Sequence, residues 1–427
     1  MTAVAAWVIW VYAPGMPVRR APEASVSIKE AGLSLFEHEW TPGDPLAKGD
    51  GLGPVFNDRS CVACHFQGGI GGGGHESQNV MSFQIHPTPG RPEVLDGMIH
   101  RFALAEDCHE SRTGLNNFFA VVPGGLKIVG TCFVETRDFD PVRTQSINAT
   151  ALFGAGWIDR IPAKTITFEA RRREIQTVGR EMLADLDAIK PGRARVLPDG
   201  RIGKFGWKAQ FATLEEFVAS ACSNELGLGN PLMEQAHPFA HRPKTKVDPD
   251  LDLTQFRALV AFIDTLPRPR EVSLDISYGG ESASRGRMLF DEVGCATCHM
   301  PNLGGVAGIY SDLLLHRVVS TELKGGYAEI PQVPLPDGHP LPDEWKTPPL
   351  WGVADSAPYF HDGGSPTLEA AILRHRADAA GVTTSFENLP GQDKAALIAF
   401  LNTLKAPAEA KPVDVKKKRA ADIIAAR

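Results

Sequence analysis

The chain has no surplus of positive charge. Its 44 Lys and Arg stand against 51 Asp and Glu, for a net charge of −7, which argues against nucleic acid as a partner and leaves a small redox protein or a neutral substrate compatible. It also lacks a long apolar run. The N-terminal stretch MTAVAAWVIWVYAPGMPVRR is apolar from Ala3 to about Val11, too short to span a bilayer, which takes roughly 20 apolar residues. No Lys or Arg precedes that run and the pair Arg19 and Arg20 follows it, the reverse of the usual flanking charge of an export signal. We read residues 1–24 as a trimmed or uncleaved export signal, with a membrane anchor as the alternative, and the reading rests mainly on the motifs described next. No acidic loop of the EF-hand kind is present. Cysteine is scarce, with seven in 427 residues, so disulfides do not staple this scaffold as they do small secreted domains. The remainder, 43% hydrophobic and 22% charged, is the composition of a globular protein long enough for two to three domains.

Four of the seven cysteines fall in two pentapeptides, CVACH at 61–65 and CATCH at 295–299. Two thiols separated by two residues at the start of a helix can bond the two vinyl groups of one haem, and the histidine that follows then presents its imidazole to the iron. Zinc would need four ligands, and neither pentapeptide has a second Cys-x-x-Cys nearby; a thioredoxin-like redox pair would not require the histidine. The motifs therefore read as two c-type haem attachments: Cys61, Cys64 and His65 for the first haem, Cys295, Cys298 and His299 for the second. Attachment of this kind is completed on the export side of a bacterial membrane, which gives a periplasmic expectation. Of the other cysteines, Cys108 and Cys132 either close a loop or stay as two thiols. Cys222, in the apolar run LEEFVASACSNE, reads as a small buried hydrophobe.

The two motifs belong to two related halves. GPVFNDRSCVACH answers to GRMLFDEVGCATCH, with Phe56 and Phe290 each five residues before the first cysteine. TALFG at 150–154 resembles PPLWG at 348–352, and GWKAQFATLEEFVASACSNE resembles FHDGGSPTLEAAILRHRADA. The first half carries an insertion of about 163–200, including the amphipathic, highly charged FEARRREIQTVGREMLADLDAI. LTQFRALVAFIDTLPRPR predicts a helix closing the first half before proline, and NLPGQDKAALIAFLNTL predicts its counterpart at the end of the second. The expected fold is mainly α: two cytochrome c-like helical domains, each enclosing one covalently bound haem, with long Gly/Pro-rich loops. The boundaries are 25–270 for the first, 271–408 for the second, and 409–427 for a solvated basic tail.

The phrases FNDRSCVACHFQGGIGG, ALFGAGWIDRIP, GKFGWKAQFATLEEF, YSDLLLH, TPPLWG and APYFHDGGSPTLEAAILRH resemble the bacterial di-haem cytochrome c peroxidase and MauG superfamily, and within it the di-haem oxidoreductases. The resemblance implies a division of labour. The second-half haem is six-coordinate and receives electrons from a small donor protein of cytochrome c or cupredoxin type; the first-half haem has, or can open, a position for hydrogen peroxide or a related oxidant. For the second haem the resemblance points to His375, fourteen residues after His361 of the HDG turn, where relatives carry methionine or tyrosine; His361 is the fallback. For the first it points to Glu225 as catalytic acid and base and to Trp207 as an aromatic between the haems. His75 and His86, in the glycine-rich loop, do not fall at the family's spacing for a distal histidine. YSDLLLHRVVS continues with Arg317 and Val318 where relatives have Asp-Met-Gly, so His316 reads as a propionate partner. The superfamily often holds calcium by backbone carbonyls, and Ser356 and Pro358 occupy the matching places. Two other functions stay open: a non-enzymatic electron-transfer or sensing cytochrome, and a MauG-like enzyme that oxidises a protein.

Overall fold

The computed structural model describes residues 17–18, 20–129, 132–136, 138–181, 191–241, 248–269, 280–318 and 333–413. The N-terminal apolar run and most of the basic tail lie outside them. The helices are α1 (Val26–Glu37), α2 (Cys61–Cys64), α3 (Arg112–Phe118), α4 (Ala155–Asp159), α5 (Ala163–Glu181), α6 (Leu214–Leu226), α7 (Leu253–Asp264), α8 (Gly280–Glu292), α9 (Leu368–Arg374), α10 (Ala380–Glu387) and α11 (Gly391–Leu401). None of them is long and apolar enough to cross a membrane.

The two helices predicted to close the halves form where expected. Asp252 caps α7 by accepting from the N–H groups of Thr254 and Gln255, while the Gln255 side chain returns to the backbone of Asp252, a reciprocal box that satisfies donors otherwise left open. α7 packs on α1 and α11 packs on α8. Both crossings use the same residues: Gly32 rests on Ala258 and Phe262, and Gly286 rests on Ala396 and Phe400. A Cβ at Gly32 would lie 2.1 Å from the Ala258 carbonyl oxygen, and one at Gly286 would lie 1.9 Å from that of Ala396. Only glycine allows backbones so close.

This crossing corrects one correspondence. Phe290 of α8 sits 6.5 Å from the His299 ring, and the residue that does this in the first half is Phe36 of α1, 6.3 Å from the His65 ring. Phe56 instead stacks on Phe102, with centroids 5.4 Å apart, where β1 (Val55–Phe56) pairs with β4 (Phe102–Ala103). Residues 38–60 separate α1 from its motif, whereas α8 runs almost directly into Cys295, so linear spacing misaligned the two.

The fold is also less purely helical than expected. β2 (Val80–Ile85) is the centre of an antiparallel sheet flanked by β3 (Leu95–Ile99) and β7 (Val142–Ile147). Phe83, Ile85 and Val142 bury one face with Leu115 of α3. The alternation in VMSFQI and VRTQSI carries the period-two pattern of half-buried strands. Shorter pairs complete the sheet content: β5 (Gly125–Val129) with β6 (Cys132–Thr136), β8 (Asn302–Leu303) with β9 (Val306–Ala307), and β10 (Leu315–Arg317) with β11 (Glu344–Lys346).

The larger apolar core is built on α1, α6 and α7 and takes in Leu303, Val306, Ile309, Leu314 and Trp351 from the second half; a smaller core surrounds Phe290, Phe386, Leu397 and Phe400. The insertion forms α5 as predicted. It reaches the second half through a buried ion pair from Arg173 to Asp312, 2.7 Å. Residues 182–190 of the insertion lie outside the described residues.

Candidate haem sites

Each CxxCH turn holds its histidine in the same way. The backbone N–H of His65 donates to Cys61 O and that of His299 donates to Cys295 O, both at 3.0 Å, so one tight turn gathers two thiols and an imidazole. Nδ1 of His65 donates to Gly72 O at 3.1 Å, and Nδ1 of His299 donates to Tyr310 O at 3.0 Å. A carbonyl can only accept, so Nδ1 carries the hydrogen and Nε2 keeps the lone pair a metal needs. Burial pushes both imidazoles down, His299 to about 4, which keeps them neutral and able to ligate. The preceding carbonyl is also used alike: Leu152 N–H donates to Gly71 O and Leu350 N–H to Ile309 O. Gly154 and Gly352 each follow with φ 72°. The predicted kinship of TALFG and PPLWG is thus a shared hydrogen-bond cradle.

Across from the imidazoles the halves part. Thr213 and Thr367 both cap helices, accepting from the N–H three residues on, which fixes the register between α6 and α9. His375 is the residue eight beyond Thr367; the residue eight beyond Thr213 is Ala221. The α9 helix ends at Arg374 and turns His375 inward, with its Nδ1 donating to Ala371 O at 2.8 Å. Its ring centroid lies 6.5 Å from that of His299. A metal–nitrogen bond of about 2.0–2.1 Å on each side, plus roughly 1.1 Å from each nitrogen to its ring centre, spans about the same distance. The pair therefore fits one iron between them. His361 does not compete for that place, because its ring lies flat on Trp345, 3.5 Å away.

The groups around this gap fit a haem as well. A cavity of about 280 Å³ is lined by Cys295, Cys298, His299 and His375. Trp351 lines it too, and its Nε1 is buried with no hydrogen-bond partner among the described residues, the mark of a donor awaiting an acceptor. Lys346 is a buried cation on the same wall, and burial pushes its ammonium down to about 8; a propionate would suit it.

Glu225 lies in the last turn of α6, which ends on Gly227 at φ 59°. Its carboxylate does not end the helix in solvent. Its Oε2 accepts from Asn57 Nδ2 at 2.7 Å, and burial pushes the carboxyl up to about 7, with Asn57 and Arg101 pulling it back. A carboxylate at a helix C-terminus gains nothing from the helix dipole, so its seat does not serve to stabilise the helix. The thiol of Cys64 is pushed well up, first by burial and then by Asp58 and Glu225, which sets Glu225 beside the first motif.

Comparison with known proteins bears on this arrangement directly. Residues 258–404 match the family model "Di-haem oxidoreductase, putative peroxidase". That stretch contains Cys295, Cys298, His299 and His375, so it is the second motif and its surroundings that are similar to the family. No curated protein matches it. Among solved structures, a MauG-like protein associated with microbial copper homeostasis is similar at 16% identity and a TM-score of 0.39, covering 93% of this chain and 94% of that one. Hydrazine synthase of Kuenenia stuttgartiensis is similar at 15% identity and a TM-score of 0.35, covering 92% and 97%.

Trp207 stands at the seam of the halves. Its Nε1 donates to Asn148 O at 2.8 Å, and Asn148 N–H donates to His361 O at 2.7 Å. Trp207 meets the rings of Trp345 and His361 edge-on, at 6.4 and 6.3 Å. Sequence reasoning missed the rest of this cluster. Lys208 Nζ lies 3.6 Å over the Trp345 ring and donates to the carbonyls of Leu341, Pro342 and Glu344. Nothing local flags a lysine as an aromatic's partner when the aromatic lies far along the chain. His75 is exposed and caps a short turn through Ser77, and His86 is buried against Phe139. His316 has its Nε2 at Asp312 and its Nδ1 3.6 Å from Sγ of Cys298. Cys222 is buried, as expected, and Cys108 is a free thiol; the side chain of Cys132 lies outside the described residues.

Proposed function

We propose that this protein is a di-haem oxidoreductase, an exported enzyme with two covalently attached c-type haems that reduces hydrogen peroxide or a related small oxidant. In this reading Cys61, Cys64 and His65 hold the first haem; Cys295, Cys298, His299 and His375 hold the second. The observation that supports the division is the single position at which the second half presents His375 and the first presents Ala221. Bound haem supplies one-electron transfer and, where a coordination position is open, a place for an oxygen ligand.

Glu225 takes a proton from the inner oxygen of peroxide and returns it to the outer one, which eases heterolysis of the O–O bond. Its carboxyl, at about 7, sits where it can both accept and donate near neutral pH. Asn57 fixes the carboxylate's direction. Trp207, anchored on Asn148 between the halves, shortens the path for electrons that arrive at the second haem from a small cytochrome or cupredoxin. His375 in place of a thioether ligand lowers the reduction potential of that haem. A calcium ion near Ser356 and Pro358, periplasmic location and attachment to the membrane through residues 1–24 belong to the same proposal and rest on resemblance.

Absorption and electron paramagnetic resonance spectra of the oxidised and half-reduced protein test it. One iron should be high-spin in at least one of these states and respond to peroxide. Two low-spin irons in both states, with no response to peroxide, would overturn the enzymatic assignment of the first haem.

A further inference from the structure

The turn that begins at Phe360 and the end of α9 are locked together just where His375 leaves the helix. Arg374 donates from both terminal nitrogens to Asp362, to Oδ1 and to Oδ2, each at 2.6 Å, and the Gly364 N–H reaches the same Oδ1 at 2.9 Å. A Cβ on Gly364 would come 2.7 Å from Nη1 of Arg374, so this glycine leaves the room the pair needs. The guanidinium also lies over Phe360, with its carbon 4.6 Å from the ring centre. Phe360 in turn stands edge-on to His375, ring centres 5.0 Å apart. It holds φ 72°, a left-handed conformation that a bulky side chain keeps only where its surroundings enforce it. The backbone of the turn is tied to the first half: Asn79 Nδ2 donates to Asp362 O at 2.9 Å, and Asn148 N–H to His361 O at 2.7 Å. The backbone of His375 has its own hold, Thr383 Oγ1 donating to its carbonyl at 2.6 Å, so what Phe360 adds is a wall against the imidazole ring.

The first half has none of these groups in the same register. Counted from Thr213 as from Thr367, Phe360 answers to Gly206, Asp362 to Lys208, Arg374 to Ser220 and His375 to Ala221. The wall, both halves of the ion pair and the second imidazole are present together or absent together. We propose that Arg374 and Asp362 form a clasp that seats Phe360 against His375 and so keeps this imidazole on the second iron, closing that iron to small ligands. This rests on the reading that His375 ligates the second haem. An iron held between His299 and His375 opens a position only when one imidazole swings away. To swing, His375 has to displace Phe360, and Phe360 stays in its strained turn while the guanidinium beside it is pinned on both oxygens of Asp362. Arginine suits the task because its planar fork meets a carboxylate at two points and offers a flat face to an aromatic ring, which an ammonium does not. The pair is only half-buried, so it serves by geometry more than by stabilising the fold. Arg374 and Asp362 are positioning residues for His375, and their effect is selectivity: a small oxidant is left with the first iron.

Carbon monoxide uptake by the reduced holoprotein, matured in an exporting host, tests the clasp, because the gas binds a ferrous haem only at a free position. His375→Ala marks the signal: it should take up one equivalent more than the wild type, and at once. In the wild type that extra equivalent should enter slowly or not at all. Arg374→Met should admit it about tenfold or more faster, the usual worth of a charge-assisted hydrogen bond, and Arg374→Lys should fall between. Arg285→Met removes a comparable pair with Asp393, between α8 and α11; it controls for general loosening of the second half and should keep the wild-type rate. An unchanged rate in Arg374→Met, or one matched by Arg285→Met, would overturn the clasp. Should Arg374→Met fail to accumulate, Asp362→Asn, which keeps the side chain's shape and removes its charge, decides by the same criterion. His375→Ala protein that takes up no more than the wild type would instead bring down the assignment of His375 as the ligand, and the clasp with it.

Discussion

In the first half, the helix that starts after Thr213 runs 13 residues to a left-handed glycine; in the second, the helix that starts after Thr367 stops after seven and turns His375 inward. Everything before that point is held in common: the glycine-spaced helix crossing, the aromatic against the proximal imidazole, the carbonyl on Nδ1, and the leucine N–H on the carbonyl before it. The two halves show that one scaffold can place a second imidazole across from the motif histidine, or leave it out, by the length of a single helix. Ending early supplies a second imidazole. Running on places Ala221 in that register and carries Glu225 to the end of the helix, beside the first motif.

The comparison breaks most readily at Glu225. Glu225→Gln should cut peroxide turnover by about 10²–10⁴-fold in steady-state assays, with both haems retained; unchanged turnover would leave the first half without its proton carrier. The same residue predicts a pH signature. Its carboxyl is raised from 4.5 to about 7 in the fold, so the native state binds the proton more tightly than the unfolded chain. Its contribution to stability is therefore full below about 4.5 and is lost as pH rises to about 7. Denaturant titrations across that window should fall for the wild type and flatten in the Gln variant.

Next in size is the pair of glycines. Gly286→Ala forces a Cβ into the Ala396 carbonyl and should cost about 1–3 kcal/mol, with the second half melting before the first; Gly32→Ala should do the reverse. Hydrogen exchange of the two helix crossings on mild heating measures it, and equal loss of protection in both halves in both variants would mean that the halves do not fold separately. A smaller change sharpens the contrast at the iron: His375→Met should raise the potential of one haem in a redox titration and leave the other nearly unmoved. The smallest is Lys208→Met. Removing the cation over Trp345 deletes an interaction worth about 0.5–2 kcal/mol and should appear as a slight shift in Trp fluorescence and thermal midpoint, with haem content unaltered.

The parts of this molecule that were legible in the sequence are those set by short-range geometry. Two cysteines and a histidine in one turn, the apolar spacing of ALVAFIDTL and ALIAFLNTL, and the threonine before Leu-Glu all carry their meaning within a few residues, and the structure has a helix at each of these places. The strands of 80–147 carry only a short alternation, a weaker local signal than the helical landmarks on either side. Phe36 was missed because its helix stands apart from Cys61 by a loop, and equal spacing to the cysteine favoured Phe56. His316 was legible as a histidine in YSDLLLH, and the fold sets its Nε2 at Asp312 and its Nδ1 3.6 Å from Sγ of Cys298.

By itself the sequence determined the pentapeptides that bind, the duplicated helices that surround them and the position, Ala221 against His375, at which the halves differ. Covalent spacing and helical period carry that information, and both are local. Only the tertiary structure decided that His375 faces His299, that Lys208 lies on Trp345, and that an arginine from the first half's insertion reaches Asp312 behind Cys298. These contacts join residues far apart in the chain, and their geometry depends on how long loops close over a packed core, which no nearby residue encodes.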